Sequence, residues 1–482
     1  MKILQWIYNA VWGAPALIMI LGLGVSLSIR TGFVQLRSFP KAMKLFLSRM
    51  FGKSGVGERV SSFQALCTAL AATVGTGNLA GVAGAIAIGG PGAVFWMWIS
   101  GILGMVIKFA EATLAVHYRS RNSGGEFVGG PMYLIRLGLP KGFWPLAGVY
   151  AFFGVVAAFG VGNATQINTV ITGFADTLAV FGCDMSAWGK LLLGVGLAVL
   201  VGAMLLGGAK RIGRIAECLV PFAAGLYILL ALLVLILRWD RIGDAVSSII
   251  CGAFSPSAIT GGAIGSFMIA LRTGISRGVF TNEAGMGTAS IAHAGADVAH
   301  PVEQGLMGIV EVFLDTIVIC TFTALVILVS GVPIPYGFDA GISLTTAAFS
   351  AVLGPWVSVV ITLSLCLFAL ATVLGWGLYG IRCAQYLFGD GVWKKFACLQ
   401  VAIVVISAVI RADTLWLLAE IVNGLMAIPN LISLWALIPT LIKLYKSYLN
   451  GGTYENFHQC QSLRSFSYAY VPSTGRGGQG GG

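Results

Sequence analysis

Apolar runs long enough to cross a bilayer as helices, roughly 18 to 20 residues each, recur from one end of this chain to the other. Eleven stretches of this kind lie near 12–29, 62–88, 92–117, 145–178, 187–207, 213–237, 256–290, 304–331, 352–387, 394–410 and 413–440. They are continuous and lack the two-residue alternation of an outer-membrane strand, which excludes a barrel. Only 10% of the 482 residues are charged, whereas a soluble domain carries about 25%. A surface so poor in charge has to be met by lipid, so the expected class is all-α integral membrane.

The formal charge of +11 does not point to nucleic acid, because the basic residues sit in short loops between apolar runs, where they orient a membrane protein. Arg30, Arg37, Lys41, Lys44, Arg49, Lys53 and Arg59 precede the second span, and Arg119, Arg121, Arg136 and Lys141 follow the third. Lys210, Arg211 and Arg214, then Arg382, Lys394 and Lys395, then Lys443 and Lys446 fall on the same side. The opposite side holds Lys2, Lys190, Arg238, Arg241 and Arg411. Eleven spans with the amino terminus outside and the carboxyl terminus in the cytoplasm of a bacterial-type inner membrane account for this asymmetry. The stretch Arg37 to Phe51 sets Lys41, Lys44 and Arg49 against Phe39, Met43, Leu45, Phe46 and Leu47, and reads as a helix lying in the headgroup plane.

Met1 to Asn9 reads as a retained segment, not a signal peptide. Nine cysteines are present. None forms a CxxC pair, and Cys67, Cys218, Cys320 and Cys366 lie inside apolar runs, which is the pattern of buried, inert thiols. The polar tail after Asn450 ends in a glycine-rich stretch with the composition of a flexible linker. Nothing in the composition calls for nucleic acid or an obligate protein partner.

Chemistry concentrates at two glycine-rich interruptions. Ala71-Ala-Thr-Val-Gly-Thr-Gly-Asn-Leu-Ala-Gly81 has poor helix propensity from Val74 to Asn78, yet it lies in the middle of a span. Unwound backbone at that depth is tolerated only where it is enclosed by protein or lines a polar cavity. Free carbonyls there bind a cation, and free N–H groups at a half-helix start hold a carboxylate. Gly77 and Gly81 also fit close helix packing through small residues, but Asn78 at that depth needs a polar partner. Gly274-Ile-Ser-Arg-Gly-Val-Phe-Thr-Asn-Glu-Ala-Gly-Met-Gly287 is the matching interruption, and it shares the pattern Asn-x-Ala-Gly with residues 78–81. Five spans over 62–237 followed by five over 238–440 is the arrangement an inverted repeat with two broken helices requires. The domain reading is therefore an N-terminal helix and basic segment at 1–61, two five-helix repeats at 62–237 and 238–440, and a disordered cytoplasmic tail at 441–482.

At four motifs the chain resembles the alanine or glycine:cation symporter family. They are Phe63-Gln-Ala-Leu-Cys-Thr-Ala-Leu-Ala-Ala-Thr-Val-Gly-Thr-Gly-Asn-Leu-Ala-Gly81, Gly129-Gly-Pro-Met-Tyr133, Arg277-Gly-Val-Phe-Thr-Asn-Glu-Ala-Gly-Met-Gly287 and Ala371-Thr-Val-Leu-Gly-Trp376. Thr281 stands where the family pattern has serine, and keeps the hydroxyl. The resemblance covers nearly the whole chain to about residue 447. It implies a leucine-transporter-like bundle of 5+5 inverted repeats with an extra N-terminal helix, and sodium-coupled symport of alanine or glycine. It also implies site roles. Thr76, Gly77 and Asn78 meet the substrate at the first interruption, Gln166 hydrogen-bonds the bound amino acid, and Phe280, Thr281 and Asn282 form a wall. Trp376 lines or gates the pocket. Ala71 and Val74 offer carbonyls to sodium, the coupling ion, and Thr372 adds a hydroxyl.

Read from the residues alone, Thr372 also suits back-bonding to the carbonyl four residues earlier, and Asn163 and Gln166 suit an interhelical amide bond. Lys108 and Glu111, three apart, read as a local ion pair at an interface. Arg277 and Glu283 flank the second interruption as a gate pair. Glu311 and Asp315 share a helix face, where two like charges are costly, so one is expected to be protonated or paired; simple partnering is preferred to a proton-coupling role for either in a proton-coupled carrier on the same fold. His293 and His300, beside Asp297 and Glu303, read as a solvated loop in preference to a metal site. No serine–histidine, paired-aspartate or HExxH arrangement lies within the spans, which argues against an intramembrane enzyme. A passive channel is disfavoured by the two interrupted helices.

Overall fold

The computed structural model describes residues 4, 6–7, 11, 13–52, 60–254, 263–338, 341–409, 412–452 and 454. Lys2, Lys53, Arg59, Arg411, most of Met1 to Asn9, residues 256–262 of the seventh expected span and the tail from 455 on lie outside them. The chain runs through helices α1 (Ala14–Thr31), α2 (Val34–Arg37), α3 (Phe39–Phe51), α4 (Ser62–Thr73), α5 (Val82–Gly89), α6 (Gly92–His117) and α7 (Pro131–Gly138). It continues through α8 (Trp144–Phe159), α9 (Thr165–Val180), α10 (Ala187–Leu205), α11 (Gly208–Leu237), α12 (Ile242–Phe254) and α13 (Ala263–Asn282). The remainder is α14 (Thr288–His293), α15 (Pro301–Val312), α16 (Thr321–Ser330), α17 (Gly341–Leu353), α18 (Val357–Phe388), α19 (Trp393–Ser407) and α20 (Ala412–Leu449).

Among the described residues, seven helical stretches are long and apolar enough to cross a membrane, or eight if the bent pair Ser62–Thr73 and Gly77–Gly89 counts as one. The expected stretches at 12–29, 256–290 and 394–410 meet α1, α13 and α19, which are shorter or more polar than that measure requires. Helices α7, α12 and α17 had no counterpart in the sequence reading. They are 8, 13 and 13 residues long, too short to span. The basic stretch does form a helix, α3. Lys41 lies over the Tyr448 ring at 4.1 Å, Arg49 reaches Glu303 at 3.3 Å, and Phe39 meets Phe313 edge to face at 4.7 Å.

Local sequence explains the ends that matter. Ser61 accepts the Gln64 amide and the Gln64 side chain accepts the Ser61 amide, a capping box that starts α4. α1 stops at Gly32, which is left-handed at φ 64° and closes the last turn as glycine does most readily. Outside the helices, Val60–Ser61 pairs in parallel with Ala296–Asp297, tying the start of α4 to the chain just after α14.

Helix α6 lies between α13 and α15, and small residues let the three backbones approach. A β-carbon at Gly274 would sit 2.2 Å from the Ala93 carbonyl oxygen, and one at Gly305 would sit 2.0 Å from Thr113 Oγ1 and 2.9 Å from the Phe109 carbonyl oxygen. In lipid such close packing takes over the role that the hydrophobic effect plays in water. Gly305→Ala is therefore expected to wedge α15 away from α6 and destabilise the detergent-solubilised protein by about 1–3 kcal/mol, the usual cost of overpacking. Its thermal unfolding midpoint should fall; an unchanged midpoint would show that this contact does not hold the core.

Candidate functional site

The first break begins where α4 gives up its helical bonds. In a continued helix the Gly75 amide would bond the Ala71 carbonyl and the Asn78 amide would bond the Val74 carbonyl. Instead the Gly75 amide donates to Asn78 Oδ1 at 2.9 Å, and the Asn78 amide turns to the Gly75 carbonyl at 3.3 Å. Val74 is extended (φ −76°, ψ 101°), a π-helical turn covers Gly77–Gly81, and the two halves meet at 50°. The carbonyls of Ala71 and Val74 thus lose their regular donors.

Around this kink the structure gathers oxygen atoms. A β-carbon at Gly75 would lie 2.6 Å from Thr372 Oγ1 and 3.6 Å from Gln166 Oε1, so only glycine lets α18 and α9 come this close. Thr76 Oγ1 donates to Gln166 Oε1 at 3.1 Å, while Gln166 Nε2 holds the Val161 carbonyl at 3.2 Å. Thr372 Oγ1 donates to the Phe368 carbonyl at 3.0 Å, the back-bond its position suggested, and its lone pairs still face Gly75. Gly77 looks across at the second broken helix: its missing β-carbon would lie 3.7 Å from Thr281 Oγ1 and 3.8 Å from Phe280 Cδ1. Thr281 Oγ1 donates to the Arg277 carbonyl at 2.7 Å. Thr76, Gly77, Gln166, Phe280, Thr281 and Thr372 are therefore brought together, with Ala71 and Val74 behind them.

The remaining expected site residues are committed to protein partners. Asn78 Nδ2 donates to Asp315 Oδ1 at 2.7 Å and to the Asp315 carbonyl at 3.1 Å. Asn282 Nδ2 donates to Thr316 Oγ1 at 3.2 Å, and Thr316 Oγ1 donates to Asp315 Oδ2 at 2.8 Å. The two Asn-x-Ala-Gly patterns are thus pinned to neighbouring residues of one π-helical turn, Phe313–Cys320. The Trp376 ring is buried and its Nε1 donates to Glu283 Oε1 at 3.0 Å. Asn163 makes an interhelical amide bond to Gln400.

The second interruption, expected over Gly274–Gly287, is narrower: α13 stays helical through Asn282, and the break is 283–287, with Glu283 at φ 53°, Gly285 at φ 92° and Gly287 at φ 79°. A non-glycine residue there is strained, and Glu283 is held by Thr288 Oγ1 at 2.5 Å as well as by Trp376. The amides of Gly285 and Gly287 converge on Glu111 Oε1 at 3.0 Å each, joined by Asn430 Nδ2 at 2.8 Å. This backbone nest is an anion site, occupied by the protein's own carboxylate.

Three further sequence expectations change. Lys108 and Glu111 are not an interfacial pair: both are fully buried, and Lys108 Nζ is nearer Glu311 (3.4 Å) than Glu111 (3.9 Å). Arg277 pairs with Glu420 at 3.8 Å, not with Glu283, which turns inward. His293 is buried against Glu311 and Gln304, not solvated. Glu311 and Asp315 each find protein partners, as the preferred reading had it: Glu311 meets His293 and Lys108, and Asp315 meets Asn78 and Thr316. The roles of Thr316, Glu111 and Asn430 went unread, although polar residues within apolar spans are the signal that marks them. Among the described residues no group of three or more His, Cys, Asp or Glu is arranged to hold a metal ion.

A family model described as the sodium:alanine symporter family matches residues 1–459. The chain belongs to that family. It is 42% identical over 451 residues to the sodium/alanine symporter AgcS of Methanococcus maripaludis, covering 93% of this chain and 97% of AgcS. It is also 42% identical over 466 residues to an uncharacterized transporter of Haemophilus influenzae, covering 96% of this chain and 99% of that protein. Among solved structures it resembles MhsT in complex with L-phenylalanine, at a TM-score of 0.56 and 16% identity over 81% of this chain and 99% of MhsT. That likeness is one of fold alone. The chain is accordingly a multi-pass transporter of this family, with the all-helical fold of leucine-transporter-type carriers.

Gly75→Ala is expected to abolish the close approach of α4 to α18, because its methyl group would overlap Thr372 Oγ1. The thermal unfolding midpoint of the detergent-solubilised variant should fall below that of the wild type. An unchanged midpoint would show that the kink does not require glycine at this position.

Proposed function

We propose that this protein carries a small neutral amino acid, alanine or glycine, into the cell together with sodium. The observation that carries the reading is the loss of helical donors at the Ala71 and Val74 carbonyls at the kink where Gly75 meets the Thr372 hydroxyl. Hard cations select oxygen donors, and two free carbonyls and a hydroxyl on neighbouring helices form such a set. Ala71, Val74 and Thr372 are the proposed sodium ligands. Thr76, Gly77 and Gln166, with Phe280 and Thr281 opposite, form the proposed amino-acid pocket. Asn78, Asn282 and Trp376 complete its walls from behind, through Asp315, Thr316 and Glu283. The small side chains at the break favour a small substrate, and the name of the similar AgcS supports alanine.

The proposed architecture has eleven spans: one N-terminal helix and two five-helix repeats of opposite orientation, 62–237 and 238–440. The amino terminus lies outside and the carboxyl terminus in the cytoplasm of an inner membrane, as the basic loops suggest. In this scheme sodium completes the oxygen set at the first break, and the amino acid then binds a site already formed, which is a coupling free energy between two ligands. Rocking of one repeat against the other opens the site inward, and both ligands leave. No covalent step is involved.

A second reading is proton coupling through Asp315, favoured by its burial and its direct bond to Asn78. Uptake of radiolabelled alanine into proteoliposomes separates the two. An inward sodium gradient should drive uphill uptake that an equal potassium gradient does not. Thr372→Ala should raise the half-saturating sodium concentration at least about tenfold, as expected for about 1.4 kcal/mol of lost ligation. Uptake indifferent to sodium and driven by a proton gradient would replace sodium with the Asp315 route.

A further inference from the structure

A second polar assembly, outside the oxygen-rich pocket, runs from the start of the first broken helix to the second break. Ser62 Oγ donates to Gln304 Oε1 at 2.7 Å, and Gln304 Nε2 donates to the Ser62 carbonyl at 3.4 Å. The same nitrogen lies 2.7 Å from His293 Nδ1, and His293 Nε2 lies 2.7 Å from Glu311 Oε2. Glu311 Oε1 lies 3.4 Å from Lys108 Nζ, and Lys108 Nζ lies 3.9 Å from Glu111 Oε2. The other oxygen of Glu111 holds the amides of Gly285 and Gly287. Gln304, His293, Glu311, Lys108 and Glu111 are all 0% exposed.

The donors and acceptors determine where the protons sit. The Ser62 carbonyl only accepts, so the Gln304 atom facing it is the amide nitrogen. That nitrogen also faces His293 Nδ1, which must therefore present a lone pair. The imidazole proton is then on Nε2, pointing at Glu311. A second proton on His293 would set N–H against N–H at Gln304, so the ring is held neutral. Glu311 accepts at Oε2, while its Oε1 faces Lys108 Nζ at 3.4 Å as an ion-pair contact, so Lys108 counters the carboxylate. The charged side chain against His293 is Glu311 from α15, which faces Lys108 and through it Glu111 from α6, while α4 contributes the uncharged Ser62 through Gln304.

We propose that this chain of contacts is a strut that sets the second break relative to the first broken helix, and that His293 is its positioning residue, kept neutral by Gln304. A group whose charge changed during transport would alter the attraction between Glu311 and Lys108, and with it the carboxylate that shapes the Gly285–Gly287 nest. Gln304 removes that sensitivity by offering His293 a donor where protonation needs an acceptor. The proposal rests on the transport reading only for its activity readout.

The deciding variant is Gln304→Glu, which places an acceptor against Nδ1 and lets His293 take a second proton. In proteoliposomes containing the full chain, the maximal rate of sodium-driven alanine uptake should acquire a titration that the wild type lacks. The rate should fall at least about threefold (about 0.6 kcal/mol) on the acid side, with a smaller change in KM. The double variant Gln304→Glu/His293→Gln should lack that titration. A Gln304→Glu profile that superimposes on the wild type, or a titration that survives in the double variant, would overturn the role of His293. Hydrogen–deuterium exchange on the purified protein tests the strut without any substrate: Lys108→Met should speed exchange at 283–293 and at 62–68 together. Faster exchange confined to 283–293 would overturn it. Coupled exchange in a protein that takes up no alanine would support the strut and remove the transport reading.

Discussion

Backbone polar groups that leave a helix inside a bilayer have no water to turn to, so a broken helix survives there only if the protein supplies every partner. In this chain the supply rests on one side chain. Asn78 Oδ1 takes the amide of Gly75, and Asn78 Nδ2 is anchored on Asp315. The bend of α4 into α5, the loss of regular donors at the Ala71 and Val74 carbonyls and the approach of Thr372 all accompany that exchange of a helical bond for a side-chain bond. Asp315 and Thr316 extend the same device to Asn282, so both broken helices are fastened to one π-helical turn. Removing an amide from such a set would leave buried acceptors unpaired, at about 1–3 kcal/mol each.

The second break solves the same problem with charge. Glu283, Gly285 and Gly287 take left-handed conformations that point amides inward, and Glu111 fills the resulting nest. A carboxylate buried this deeply needs a counter-charge, and Lys108 supplies it while also serving Glu311. The first break is lined by carbonyls and hydroxyls. The second is filled by the protein's own carboxylate. This difference between two similar glycine-rich segments is a property of their neighbours, not of the segments.

Much of the fold was legible because lipid imposes a length and a composition on every helix that crosses it. The expected boundaries at 92–117, 187–207 and 213–237 fall within a few residues of α6, α10 and α11, and the break at Val74 to Asn78 lies where β-branched residues and glycines coincide. Helices α12 and α17 were not legible, because neither spans and both owe their existence to the helices they pack on. The ion pairs were misread for a related reason. Helical spacing relates Lys108 to Glu111 and Glu311 to Asp315, but spacing along one helix carries no information on what the opposite helix presents.

Residue order alone was sufficient to determine that this chain lives in a membrane, that two of its helices are interrupted, and which family's motifs the interruptions carry. These are local properties, set by hydropathy, by the conformational freedom of glycine and by poor helix propensity over a few consecutive residues. Only the tertiary structure decided that Thr76, Gln166 and Thr372 meet at Gly75, that Asn78 and Asn282 turn to Asp315 and Thr316, and that His293 is buried against Glu311. Those contacts join positions separated by tens to hundreds of residues. They depend on which helices pack side by side and at what rotation, and a single apolar span is compatible with many neighbours and many rotations.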